Sequence, residues 1–187
     1  GQFLGKKCHI APLHDADGKL VAQKIRLPGK DFRVLGDSSK VTLFGQKQSR
    51  PGGKRIVITE GEIDAMSVSQ AFGNKWQAVS LVNGASSIKH LKNELEFLES
   101  FEKIVIWFDS DEPGRKAANQ AMELFTPGKA AVVECGLKDA NEVLKERGSD
   151  AGAKFVFDAR PKRPDGIVNA AELTEVIDEV LVSGIKY

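Results

Sequence analysis

The sequence predicts an α/β fold, a parallel sheet flanked by helices, preceded by a small, mainly β unit of basic character. Three observations carry this reading. From residue 54 onward, short runs rich in β-branched residues alternate regularly with helix-length segments, the pattern of strands joined by helical crossovers. The first fifty residues instead show short apolar runs punctuated by turn residues, as antiparallel hairpins do. Charge divides along the same line. Residues 1–58 hold twelve Lys/Arg against four Asp/Glu, whereas residues 59–158 hold eleven against seventeen.

The elements follow in order. Asp15-Ala16-Asp17-Gly18 is a turn between strands His9–Leu13 and Leu20–Leu27. In the second strand Lys24 and Arg26 share one face, and Val21, Ile25 and Leu27 the other. A turn at Pro28-Gly29-Lys30 leads into Asp31–Leu35, so this unit presents Lys24, Arg26 and Lys30 together. Periodicity alone fits a ligand-free polar face equally well. Ser49-Arg50-Pro51-Gly52-Gly53 is a tight connection. Strands are then expected at 55–59, 78–82, 103–108 and 130–134, with helices at 62–72, 87–99, 113–125 and 140–147. Residues 160–166 form a second linker, and Ala171, Val176, Ile177, Val180 and Leu181 form an amphipathic helical stripe beyond it. The implied division is 1–50 for the basic unit, 51–158 for the α/β domain and 159–187 for a linker and helix.

Two acidic stretches carry the chemistry. Thr59-Glu60-Gly61-Glu62-Ile63-Asp64 follows the strand Arg55–Ile58, and Phe108-Asp109-Ser110-Asp111 follows Ile104–Trp107. Ligands collect past the carboxyl ends of strands in open parallel sheets. Five carboxylates at two such ends repel one another unless a cation lies between them, and hard divalent ions such as Mg²⁺ take oxygen ligands of this kind. The expected product is a metal-dependent phosphoryl-transfer site. Either stretch alone would read as well as solvated loop acids or helix caps.

Composition narrows the class. Of 187 residues, 41% are hydrophobic and 28% charged, as in a soluble globular protein. No apolar run approaches the roughly 20 residues of a membrane helix, and no signal peptide opens the chain, so no membrane association is expected. Cys8 and Cys135 are the only cysteines; a disulfide framework is not expected, and a reducing compartment is. Cys8-His9 with His14 has no second ligand pair at zinc-finger spacing.

The order of acidic elements, with Asp139 in Gly136-Leu137-Lys138-Asp139-Ala140-Asn141-Glu142 after the last strand, resembles the Toprim domain. TEGEID, LVNGAS (81–86), WFDSDEPGRKA (107–117) and KDANE (138–142) are similar to the primase half of phage-type bifunctional primase–helicases, relatives of the mitochondrial helicase Twinkle. VAQKIRLPGKDF (21–32) and LFG (43–45) resemble that family's N-terminal primase subdomain, and RPDGIV (163–168) its linker to the helicase. The resemblance covers about residues 8 to 170. It implies a Toprim-like parallel sheet and a DNA primase that joins ribonucleoside triphosphates into short RNA primers on single-stranded DNA during replication. It makes Glu60 a catalytic acid, metal-bound or acting as general base. Asp109 and Asp111 become catalytic ligands of Mg²⁺ (or Mn²⁺), with Asp64 and Asp139 completing the metal cluster. It assigns Lys24, Arg26, Lys30 and Arg115 to the nucleotide's phosphates, although Arg115 and Lys138 read equally well as surface ion-pair partners.

Implied partners are the template, a helicase domain in cis and a replicative polymerase, and the implied location is the cytoplasm, of a bacterial host if the origin is a phage. Neither the family's zinc module nor a helicase-type phosphate loop occurs in the sequence, which suggests an excised domain. Asn83 stands where close relatives often have histidine. The other readings are a Toprim metal-dependent nuclease and a non-catalytic module binding single-stranded DNA beside a helicase. A nuclease leaves the basic strand unexplained, and a binding module leaves the acidic cluster unexplained. A topoisomerase would need a nucleophilic tyrosine, and Tyr187 at the extreme end is the only one.

Overall fold

A computed structural model of the chain describes residues 1–29, 31–75, 78–84 and 88–161. Lys30 and the stripe expected at Ala171–Leu181 lie outside the described residues. A short hairpin, β1 (Gln2–Phe3) and β2 (Lys6–Lys7), precedes an antiparallel meander of β3 (His9–His14), β4 (Leu20–Arg26) and β5 (Phe32–Gly36). The meander's strands run in sheet order β3-β4-β5, with Ile10 opposite Ile25 and Lys24 opposite Val34.

Next come β6 (Arg55–Thr59), α1 (Glu62–Ala71), β7 (Ala78–Ser80), α2 (Ile88–Leu91) and α3 (Leu95–Glu99). They are followed by β8 (Lys103–Trp107), α4 (Glu112–Met122), β9 (Ala130–Val132) and α5 (Ala140–Asp158). The four later strands form one parallel sheet in the order β7-β6-β8-β9. Phe44 extends it at the β7 edge, exchanging two backbone hydrogen bonds with Ser80 at 3.1 and 3.0 Å.

Strand alternation builds a core on each side of this sheet. Ile56, Ile58, Ile104 and Ile106 pack with Leu91, Leu98, Ala117 and Ala121 from α2–α4. Val57, Val105 and Trp107 pack with Ala65 and Val68 of α1 and with Val143 and Val156 of α5. Strands buried on both faces read as continuous apolar runs, which is why Arg55–Thr59 and Lys103–Trp107 were legible. Leu13 and Ala22 join the second core, so the meander is seated on the α1–α5 side of the sheet.

The structure corrects four details. The helix expected at 87–99 is broken by a 3₁₀ turn at Lys92–Glu94; Glu94 has φ −106° and ψ 11° and accepts a 2.6 Å bond from the Gln46 amide. The helix expected to stop at 147 breaks there, since Gly148 has φ 79°, but a second segment continues to Asp158. Strands β7 and β9 each end two residues earlier than expected. Finally, the β4 face bearing Lys24 and Arg26 also bears buried Ala22, so it is turned into the molecule rather than presented wholly to solvent.

Candidate active site

Each acidic residue stands where a strand of the parallel sheet gives way to a helix. Thr59 pairs in register with Trp107, so Glu60 and Asp109 leave adjacent strands at the same edge. Asp111 is the N-cap of α4, accepting from the Gly114 amide at 2.9 Å. Asp139 caps α5, accepting from Glu142 at 2.8 Å. Carboxylates suit these positions because helix amides and the helix dipole favour negative charge there. Asp64 in the first turn of α1 accepts the Asn141 amide of α5 at 3.1 Å, which ties the β6 and β9 ends together.

Electrostatics brings four of the five into one cluster. Burial, then the neighbouring Asp139 and Asp109 charges, push Asp64 up to about 7 despite its hydrogen bond from Asn141. Burial also raises Asp109, with Asp139 and Asp111 adding to the shift and Lys138 opposing it. The cation among them is a side chain: Lys138 Nζ lies 3.2 Å from Asp109 Oδ2 and 3.9 Å from Asp139 Oδ2. Among the described residues, no three or more His, Cys, Asp or Glu side chains are arranged to hold an ion. The expectation of converged carboxylates is thus met only in part, because their mutual repulsion is relieved here by an ammonium. The donor set still fits a hard divalent ion: oxygen ligands only, with like charges that each oppose the ionisation of the other.

Two glycines give the acids room. A Cβ on Gly114 would stand 2.1 Å from the Asp109 carbonyl oxygen, so the α4 N-terminus packs against the Asp109 backbone only as glycine. Gly84 has φ 67°, and a Cβ there would stand 3.3 Å from Glu60 Oε1. Asn83 belongs to the same loop after β7 and is exposed.

The basic candidates separate. Lys24 is nearly buried: Nζ donates to Glu62 Oε1 at 2.8 Å and to the Val82 carbonyl at 2.7 Å, and both partners of the ion pair are 12% exposed. It therefore joins the meander to the acid-bearing end of the sheet. Arg26 lines an open groove of about 830 Å³ together with Lys7, His9, Ile63, Asn141 and Lys145. Arg115 is exposed, and its guanidinium donates to the Ser110 carbonyl. Lys7, His9, Lys145 and the pairing of Lys24 with Glu62 escaped the sequence reading. A local charge pattern carries no record of which distant residues a groove collects.

Residues 57–144 match the family model described as Toprim-like. The chain is 38% identical over 175 residues to a DNA helicase/primase of enterobacteria phage T3, covering 93% of this chain and 31% of that protein. The chain thus spans about a third of that relative's length. A crystal structure of the primase fragment of the bacteriophage T7 primase-helicase superposes with a TM-score of 0.74 at 36% identity, covering 82% of this chain and 64% of that one. A second match comes from a bacteriophage T7 lagging-strand DNA polymerase structure with primase domains bound to an RNA/DNA hybrid and dTTP. There the TM-score is 0.77 at 37% identity, with 86% of this chain and 82% of that one covered. By these likenesses the chain belongs to the Toprim-type primase domains of phage primase–helicases.

Proposed function

We propose that this chain is the catalytic core of a DNA primase, which joins ribonucleoside triphosphates into short RNA on single-stranded DNA. The observation that carries the reading is the placement of Glu60, Asp64, Asp109, Asp111 and Asp139 at neighbouring ends of one parallel sheet, beside a groove lined by Lys7, Arg26 and Lys145. The reaction forms a bond from a 3′-hydroxyl oxygen to the α-phosphorus of the incoming nucleotide and releases pyrophosphate. Glu60, Asp64, Asp109, Asp111 and Asp139 would hold divalent metal, Mg²⁺ or Mn²⁺, which supplies charge neutralisation for the triphosphate and lowers the pKa of the attacking hydroxyl.

The chain's own residues supply position. The caps at Asp111 and Asp139 each use one oxygen on helix amides, which fixes the carboxylates rigidly. Burial around Asp64 limits its access to water and strengthens the charge interactions that it makes. Arg26, in the groove, and Arg115, bonded to the Ser110 carbonyl, are the nucleotide-binding candidates. Lys24 can serve a triphosphate only by leaving Glu62, so its first role in this reading is to hold the meander in place. Lys30 remains a candidate phosphate contact on sequence grounds.

A helicase domain in cis and a replicative polymerase are the partners this reading implies, with the host cytoplasm as compartment. Among the described residues no helix is long and apolar enough to cross a membrane. The test is incorporation of labelled ribonucleotides on a mixed single-stranded template with Mg²⁺ or Mn²⁺. Product from the wild type and loss of roughly a hundredfold or more in Asp109→Asn is expected, because a neutral amide is a poor ligand for a hard cation. Equal yield from the two proteins would reject the assignment.

A further inference from the structure

Lys138 has a geometry that no nucleotide-binding role requires. Its backbone is pinned on both sides: its amide donates to Glu142 Oε2 at 2.6 Å, and its carbonyl accepts from the Ser110 amide at 2.7 Å. Ser110 Oγ also donates to the Leu137 carbonyl at 2.6 Å. The loop after β8 and the loop after β9 are therefore stitched together at this lysine. Its side chain is the exposed part. It is 51% exposed, whereas Asp109 and Asp139 are each 21% exposed.

We propose that Lys138 is a positioning residue for the metal site, a resident counter-ion that holds Asp109 and Asp139 together and yields its place when a divalent cation enters. This rests on the primase reading of the acidic cluster. A partly exposed ion pair is weak because water competes for both charges. A divalent ion places twice the charge against several carboxylate oxygens at once, so it wins the competition. The displaced ammonium swings into solvent and leaves no buried cation behind. Because the Lys138 backbone stays fixed between Ser110 and Glu142, the two acid-bearing loops keep their spacing through the exchange. The lysine thereby preserves the site before metal arrives and lowers the metal's apparent affinity by competing with it.

The experiment measures Mn²⁺ binding by electron paramagnetic resonance, and melting without metal, for the whole chain. Lys138→Met keeps the length of the side chain and removes its charge. It is expected to bind Mn²⁺ about five-fold more tightly, a change of roughly 1 kcal/mol, and to melt lower than the wild type when metal is absent. Lys138→Arg keeps the charge and should bind Mn²⁺ within about two-fold of the wild type. Lys116→Met, on the exposed face of α4, removes an equal charge away from the acids and should shift the affinity by less than half as much. Unchanged or weaker Mn²⁺ binding in Lys138→Met, or an equal gain in Lys116→Met, would overturn the proposal. If Lys138→Met does not fold without metal, the Arg variant decides: binding tightened as expected for Met would contradict a competing cation. A wild type that binds no Mn²⁺ would instead reject the primase reading itself.

Discussion

The acidic ends of the parallel sheet and the basic meander meet through the contact of Lys24 with Glu62 and Val82, yet they hold their charges in opposite ways. At the sheet ends, like charges are crowded. Asp64 and Asp109 are raised by burial and by neighbouring carboxylates, and a single half-exposed lysine offsets them. In the meander, Lys24 is already matched by Glu62 and a carbonyl, while Arg26 faces the open groove. One region stores unbalanced charge that invites a ligand, and the other spends part of its charge on holding the two units together. The sign of a segment's charge therefore does not say which of its residues serve the ligand.

Breaking the Lys24 contact separates these roles with the largest effect expected. Removing one partner of a buried ion pair leaves the other charge uncompensated and costs about 3 kcal/mol. Lys24→Met should therefore lower the melting temperature by several degrees, with Glu62→Gln in the same direction. If melting is unchanged and only the nucleotide KM rises, Lys24 belongs to the phosphate clamp and the contrast with Arg26 disappears.

Gly114→Ala tests the acidic side with a smaller effect. Its Cβ would meet the Asp109 carbonyl oxygen at 2.1 Å, and relieving such overpacking costs about 2 kcal/mol. Because the strain falls on the Asp109 backbone, synthesis should drop more than stability does. A variant that melts and works like the wild type would show that the α4 N-terminus adjusts freely.

A smaller effect lies in pH. An unfolded aspartate ionises near about 3.9, while folded Asp64 is raised to about 7. The folded state therefore binds the proton more tightly than the unfolded chain does. This contribution is complete below the unfolded value and is lost progressively as pH rises through about 7. Without metal, the melting temperature should fall between pH 5 and 8, and Asp64→Asn should flatten that part of the profile. A fall of equal size in Asp64→Asn would place its origin elsewhere. Smallest of all, Arg26→Ala should raise the nucleotide KM a few-fold with kcat nearly kept, since a phosphate contact made before chemistry contributes uniform binding.

Much of this was legible because it is local. Ile56–Ile58 and Ile104–Trp107 are unbroken apolar runs, so strand identity survived without any knowledge of partners. Asp111 and Asp139 stand at strand-to-helix junctions, where an acid serves as a cap whether or not it also meets a metal. What escaped was tertiary. Lys24 meets Glu62 from 38 positions away, and Lys145 joins Lys7 in one groove across most of the chain. The helix expected to end at 147 does break at Gly148, yet the following residues begin another. Asp64 was assigned to the cluster by the resemblance of its motif, but its burial and its bond from Asn141 come from α5 packing on α1.

The central claim is that the acids gathered at the sheet ends hold divalent metal, and anomalous diffraction from crystals soaked in Mn²⁺ tests it most directly. The claim predicts a peak at coordination distance, about 2.1–2.2 Å, from carboxylate oxygens of Asp109 and at least one of Glu60, Asp64, Asp111 or Asp139, with Lys138 Nζ moved off Asp109. A peak confined to other residues, or none at saturating Mn²⁺ with Lys138 still paired to Asp109, would contradict it.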